Sequence, residues 1–114
     1  MGLRNRRLED EAAAQLAAGV VSFALGIPQQ IILEDARGSM EAAFARQVAM
    51  YLCHVGFELS LSRVAWAFGR DRSTVAHACH TIEDRRDEAQ FDTWITTLET
   101  MLQRAPPIER RERA

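Results

Sequence analysis

The segment from Phe68 to Glu83 combines a turn with a run of polar side chains that can donate and accept hydrogen bonds. Gly69 can adopt a positive φ and end one helix, and Asp71 can cap the next by accepting a backbone N–H. From about Arg72 to Arg86 the apolar residues share one helical face, which predicts burial of that face and exposure of the polar start. A tight turn followed by such a helix is typical of a helix-turn-helix, whose second helix enters the major groove of DNA.

The side chains in the first turn of this helix have the chemistry needed to read base edges. Arg72 can donate to guanine O6 and N7 or to a phosphate, and Asp71 can accept from a cytosine N4 amine if capping leaves a lone pair free. Ser73 and Thr74 can bond to bases or phosphates, and Ala76 can contact a thymine methyl group. The same residues also fit a solvated helix face with a capping aspartate, and the residues alone leave both interpretations open.

Cysteine and histidine residues cluster in the same half of the chain without the spacing of a metal site. His77 and Cys79 are two positions apart on a helix and point in different directions, while His77 and His80 lack a second ligand pair. We therefore predict no metal and no cofactor. Cys53 and Cys79 fit small buried thiols of a reducing compartment, with a disulfide between them as the alternative.

The same segment resembles the signature of the C-terminal DNA-binding domain of the bacterial replication initiator DnaA, Gly-Gly-Arg-Asp-His-(Ser/Thr)-Thr-Val-x-His-Ala. The matching residues are Gly69, Arg70, Asp71, Ser73, Thr74, Val75, His77 and Ala78. Two more stretches, 45–52 and 59–68, are similar to other motifs of that family, so the resemblance covers roughly residues 12–102.

The resemblance implies roles for individual residues. Arg46 and Gln47 would contact phosphates at a helix start, and Leu61 and Ser62 would approach the DNA backbone and bases. The residues that it assigns to the major groove are Asp71, Arg72, Ser73, Thr74, Ala76 and His77. Of these we expect His77, together with Arg70, to hold phosphates.

Three departures from the family pattern bear on DNA binding. The family inserts a basic loop into the minor groove, whereas here only Arg37 could do so, flanked by acidic residues. Arg72 replaces the family's histidine, which could change the preferred base. One glycine of the Gly-Gly pair before Arg70 is missing, so the turn is one residue shorter.

Composition bounds the class of protein. The 114 residues carry a net charge of −2 and no lysine, and the excess of five Arg over three acids lies in residues 37–80. Phosphate contacts usually dominate DNA affinity, so we expect weak non-specific binding. No apolar run is long enough to span a membrane, and the basic start, residues 1–7, lacks the apolar region of a signal peptide, so we expect a cytoplasmic, nucleoid-associated protein with no membrane partner.

Hydrophobic periodicity predicts an all-α fold, a compact bundle of about six helices of the DnaA C-terminal or Trp-repressor type. Leu8, Ala12, Leu16, Val20 and Phe23 repeat near the helical period and predict the first helix. The predicted helices are 7–25, 28–34, 40–55, 61–68, 72–86 and 88–104, with Ser39, Ser60 and Asp71 as N-caps. They form a single domain, residues 1–105, followed by a charged tail, 106–114, predicted to be disordered.

These features predict a sequence-specific double-stranded DNA binder that regulates transcription or replication initiation. No Gly-x-x-x-x-Gly-Lys-(Ser/Thr) loop is present, so no ATPase activity, enzymatic activity or small-molecule substrate is expected. The alternative is a protein adaptor that keeps the fold, has lost DNA binding, and contacts the initiator or another protein through its acidic surface.

Overall fold

A computed structural model describes residues 2–34 and 39–104, which form six α-helices with no strand among them. The all-α prediction is confirmed. The helices are α1 (Leu3–Leu25), α2 (Gln29–Leu33), α3 (Met40–Gly56), α4 (Leu61–Phe68), α5 (Arg72–Arg85) and α6 (Ala89–Arg104). The predicted tail, 106–114, lies outside the described residues, as does Arg37. None of the described helices has the length and apolar character needed to cross a lipid bilayer.

Helix α3 forms the centre of the bundle, because it packs against all five other helices. Of the stripe that its periodicity predicts to be buried, Val48, Tyr51 and Leu52 are buried, Phe44 is half-buried, and Val55 is 42% exposed. This helix was predicted to span residues 40–55, with Gly56 just after it. In the structure Gly56 is the last helical residue, and Phe57 takes the C-cap position. The side-chain oxygens of Ser39 and Ser60 accept from backbone N–H groups three residues later, so both predicted caps are confirmed.

The residues whose spacing predicts α1 do not form its buried face. Leu8, Leu16 and Phe23 are 60%, 37% and 81% exposed, whereas the face that contacts the bundle consists of small residues and one acid. The residues buried there are Asp10, Ala14, Ala17, Ala18 and Val21. Since alanine leaves little side chain between two helix axes, this face lets α1 lie close to α3. Helix α1 therefore has two apolar faces, and the one with the larger side chains faces solvent.

An ion pair that sequence patterns do not reveal joins α1 to α4. Asp10 is 2% exposed, and Arg63 donates from Nη2 to its Oδ1 at 2.6 Å and from Nε to both carboxylate oxygens. This bidentate geometry fixes the start of α4 against the first helix. Trp66 is 41% exposed, and the Arg7 guanidinium of α1 lies over its ring, 4.7 Å from the ring centroid.

Gly69 ends α4 in a left-handed conformation, with φ 66° and ψ 36°. Its N–H donates to the carbonyl of Trp66, and the N–H of Arg70 donates to Ala65, the paired bonds of a Schellman motif. The turn between α4 and α5 is thus three residues long, 69–71. The sequence prediction of a glycine-dependent turn is confirmed.

We predict that Gly69→Ala lowers the free energy of unfolding by about 1 kcal/mol, because an L side chain is strained at this φ although no atom lies within 4 Å of the new Cβ. Gly56→Ala is the matched control. Its Cβ would meet only Leu102 Cδ1 at 3.7 Å, within a helix that alanine favours. Urea unfolding should show opposite signs for the two variants, and equal effects would contradict the role of the turn.

Both cysteines are free thiols, Cys53 buried and Cys79 half-buried. Burial, with a smaller contribution from the Asp10 charge, raises the pKa of Cys53 from 9.0 to about 12, and burial raises the pKa of Cys79 to about 11. Neither thiol is therefore a reactive thiolate near neutral pH.

We predict that alkaline pH destabilises the fold through Cys53. Because its pKa is higher in the folded state, the stability that it contributes is fully present below about pH 9 and is lost as pH rises towards 12. Urea unfolding between pH 8 and 11 should show falling stability, with a flatter profile for Cys53→Ala than for Cys79→Ala. An unchanged profile in Cys53→Ala would contradict this assignment.

Candidate nucleic-acid interface

Helices α4 and α5, with the turn 69–71 between them, form a helix-turn-helix. The apolar side of α5 is buried against α3 and α4 through Val75, Ala78 and Ile82. Since this side holds the helix in place, the opposite side of its first two turns faces solvent. The predicted burial pattern of α5 is confirmed for these three residues, and Cys79 lies at the edge, half-buried.

The side chains predicted to read bases lie together at the solvent-facing start of α5. Asp71, Arg72, Ser73 and Thr74 are exposed, and Ala76 is half-buried. His77, one turn after Ser73 and Thr74, is also exposed. No hydrogen bond or ion pair joins the following side chains to any other residue that the structure describes: Asp71, Arg72, Ser73, Thr74 and His77. Their donors and acceptors are therefore available to a partner without the loss of an internal contact.

The predicted capping bond of Asp71 is wrong. Asp71 occupies the N-cap position with extended backbone angles, φ −76° and ψ 151°, but its side chain makes no capping hydrogen bond. Its carboxylate oxygens keep their lone pairs, and the first N–H groups of α5 stay open. An open helix N-terminus favours an anionic group such as phosphate, while the exposed carboxylate favours a hydrogen-bond donor such as a cytosine amine.

Arg70 connects the turn to α2. Its Nη2 donates to the carbonyl of Glu34 at 3.0 Å, and its Nε is buried without a hydrogen-bond partner among the described residues. The predicted phosphate contact of Arg70 stays a prediction. The contact with Glu34 gives it a second role, since it ties the turn to the end of α2, where the segment containing Arg37 begins.

Arg46 has an internal role that its resemblance to a phosphate ligand does not indicate. The side chain is only 8% exposed, and it donates from Nε to the carbonyl of Ile32 at 3.0 Å and from Nη2 to Ile31 at 3.2 Å. These carbonyls belong to the last turn of α2, where the helix supplies them with no partner of its own. Its neighbour Gln47 is half-buried. At the start of α4, Leu61 is half-buried and Ser62 exposed, and the DNA contacts predicted for all four residues stay predictions.

We predict that Arg46→Met lowers the free energy of unfolding by roughly 1–2 kcal/mol, because two carbonyls of α2 lose charged donors. Gln47→Met, on the same helix and half-buried, is the control and should change stability little. Thermal or urea unfolding of both variants measures the difference. A variant of Arg46 that loses DNA affinity at unchanged stability would instead support the phosphate contact and contradict the structural role.

Beyond the start of α5, the helix borders a shallow groove of about 340 Å³ towards the end of α3. Its lining residues are Tyr51, His54, Val55, Leu61, Ala76, Cys79, His80 and Glu83. His54 is held by the carbonyl of Leu59 at 2.7 Å, and His80 pairs with Asp84 at 3.5 Å. Among the described residues, no three His, Cys, Asp or Glu side chains come together as metal ligands.

The charged residues 83–88, at the end of α5, fit a solvated helix end by their sequence. In the structure some of them form an internal network instead. Arg86 forms ion pairs with Asp92 and with Glu99, the latter at 3.0 Å, and donates to the hydroxyl of Tyr51 at 2.9 Å. Tyr51 in turn donates to Glu83. Burial, followed by the bond to Glu83, raises the pKa of Tyr51 to about 12, so the phenol stays protonated as donor.

The fold and the exposed start of α5 define a helix-turn-helix protein. The chain belongs to the family described as bacterial dnaA protein helix-turn-helix, whose sequence model matches residues 17–82. It is 44% identical over 59 residues to the chromosomal replication initiator protein DnaA 2 of Chlamydia trachomatis serovar D, and 42% identical over 59 residues to that of Chlamydia muridarum. Each match covers 49% of this chain and 13% of the relative, so the chain spans a small part of their length.

A solved structure confirms the relationship at the level of the fold. A crystal structure described as a DNA replication initiation factor superposes with a TM-score of 0.77 at 28% sequence identity. The superposition covers 89% of this chain and 31% of that one. The architecture described above is therefore that of a known helical domain.

Proposed function

We propose that this chain binds double-stranded DNA in a sequence-specific manner through the start of α5, and thereby regulates transcription or replication initiation. The observation that carries the proposal is the set of exposed, unpaired side chains at the N-terminus of the second helix of a helix-turn-helix. Membership of the bacterial dnaA helix-turn-helix family supports it. In this role the chain needs neither a cofactor nor enzymatic activity, and it acts at the nucleoid in the cytoplasm.

Within the proposed interface, we assign base reading to Asp71, Arg72, Ser73, Thr74 and Ala76. An arginine fork donates bidentately to guanine O6 and N7, and a carboxylate accepts from cytosine N4. Neighbouring Arg72 and Asp71 therefore favour a target that contains a G·C pair beneath the first turn of α5. His77, Ser62 and the open N–H groups of α5 would contact phosphates.

The structure favours DNA over the adaptor alternative. An adaptor that binds through an acidic surface needs acidic side chains free to meet a basic partner. Asp92 and Glu99 are paired with Arg86, and Glu83 accepts from Tyr51, which leaves Asp87 and Glu88 as the exposed acids of this region without an ion pair among the described residues. At the start of α5, by contrast, the polar side chains have no internal partner among the described residues.

Salt titration of DNA binding tests the proposal. A labelled duplex pool should bind at low salt, with log affinity falling linearly with log salt at a slope of roughly −2 to −4, because few cations face the DNA. Ser73→Glu should abolish the interaction by placing a negative charge at the helix N-terminus. Thr97→Glu is the matched control, since Thr97 is exposed on α6. Absence of any duplex binding at low salt would contradict the proposal.

A further inference from the structure

The outer face of α1 carries large apolar side chains that the rest of the described chain covers only in part. Taking about 100° per residue, Leu8, Ala12, Leu16 and Phe23 fall within a sector about 80° wide, opposite the alanine face that packs on the bundle. We call these four residues the outer stripe. Leu8 and Phe23 are 60% and 81% exposed, and a row of this kind on one helix face is typical of an interaction surface.

We propose that the outer stripe is a self-association surface, on which α1 of a second copy of this chain packs antiparallel about a two-fold axis near Leu16. In a two-fold interface each residue meets its counterpart in reverse order. A centre between residues 15 and 16 sets Leu8 against Phe23 of the other copy, and brings Leu16 beside its own equivalent. The largest side chains thus lie at both ends, and the small Ala12 lies between them.

Charge along α1 favours this antiparallel orientation. All charged residues of the helix lie in its first half, up to Glu11, and the sequence is uncharged from residue 12 to residue 33. A parallel pair would place Glu9 and Glu11 of both copies side by side. An antiparallel pair instead places each charged half over the uncharged half of the other copy, so like charges are separated.

The helix ends give a second electrostatic reason. Helix α1 has no acidic residue in its first turn and no basic residue in its last, the reverse of what its dipole favours. In the antiparallel pair, the basic start of one helix, with Arg6, lies beside the carbonyl end of the other. Each copy thereby supplies the cation that the last turn of its neighbour lacks.

Sedimentation measures the self-association, and it needs no DNA, so its failure is distinct from failure of the proposed function. The wild-type chain should shift from monomer to dimer as concentration rises from micromolar to hundreds of micromolar. Leu8→Glu and Phe23→Glu should each weaken association at least tenfold at unchanged thermal stability, because both side chains are mostly exposed. Met101→Glu, also an exposed apolar residue but on α6, is the control and should dimerise as wild type does.

Cross-linking tests the register. An equimolar mixture of Leu8→Cys and Phe23→Cys, treated with a short thiol cross-linker, should give a covalent dimer that neither variant gives alone, with wild type as background for Cys53 and Cys79. Dimers from each variant alone would indicate a parallel pair and overturn the register. A chain that stays monomeric at every concentration overturns the proposal. It does so whichever partner then binds the outer stripe.

Discussion

Arg72→Ala should weaken binding to the preferred duplex by about 1–3 kcal/mol, roughly fivefold to 150-fold, and should relax the preference at one base pair. The side chain is exposed and makes no contact with another described residue, so its loss leaves the fold intact. What is lost is a bidentate donor to a guanine edge at the point where α5 begins. Fluorescence anisotropy with duplexes that vary one base pair at a time measures both effects.

Two further variants separate geometry from charge at this position. Arg72→Lys keeps the positive charge but not the planar fork, so it should keep the salt dependence of binding and lose the base preference. Arg85→Ala removes the same charge about 20 Å further along α5, where the guanidinium covers the ring of Phe91 at 4.1 Å, and it should leave the base preference unchanged. If Arg85→Ala relaxes the base preference, or if Arg72→Ala leaves it unchanged, Arg72 does not read a base.

The second large effect concerns stability. Arg63→Met should lower the free energy of unfolding by about 3 kcal/mol, because it leaves the carboxylate of Asp10 buried without its cation. The estimate is at the lower end for buried pairs, since one third of the Arg63 side chain is exposed and water can reach the site. Urea unfolding at neutral pH measures the loss.

The double variant Asp10→Leu, Arg63→Met is the control for this pair. Two apolar side chains of similar volume leave no buried charge, so the double variant should recover most of the stability that the single variant loses. If the single and double variants are equally stable, the buried carboxylate does not depend on Arg63 and the account of the α1–α4 contact is wrong.

Local sequence signals predicted most of the fold, because they act within a few residues. Ser39 and Ser60 cap helices through bonds that span three residues, and Gly69 ends α4 through its own φ. The helix bounds follow from such signals and from periodicity.

What sequence patterns did not predict depends on contacts between distant residues. Asp10 and Arg63 are 53 positions apart, and Arg46 meets carbonyls 14 and 15 positions away. Helix α1 has two apolar faces, and only the packing decides that the alanine face is buried. Asp71 kept its predicted place, but its side-chain rotamer, not its position, decides whether it caps the helix or faces a partner.

Selection of bound sequences from a random duplex pool tests the central claim most directly, that the start of α5 reads DNA bases. The account predicts enrichment of one preferred site containing a G·C pair, and loss of the preference at that pair when the selection is repeated with Arg72→Ala. A pool that shows no enrichment after repeated rounds at low salt, or a preferred site that Arg72→Ala leaves unchanged, would contradict it.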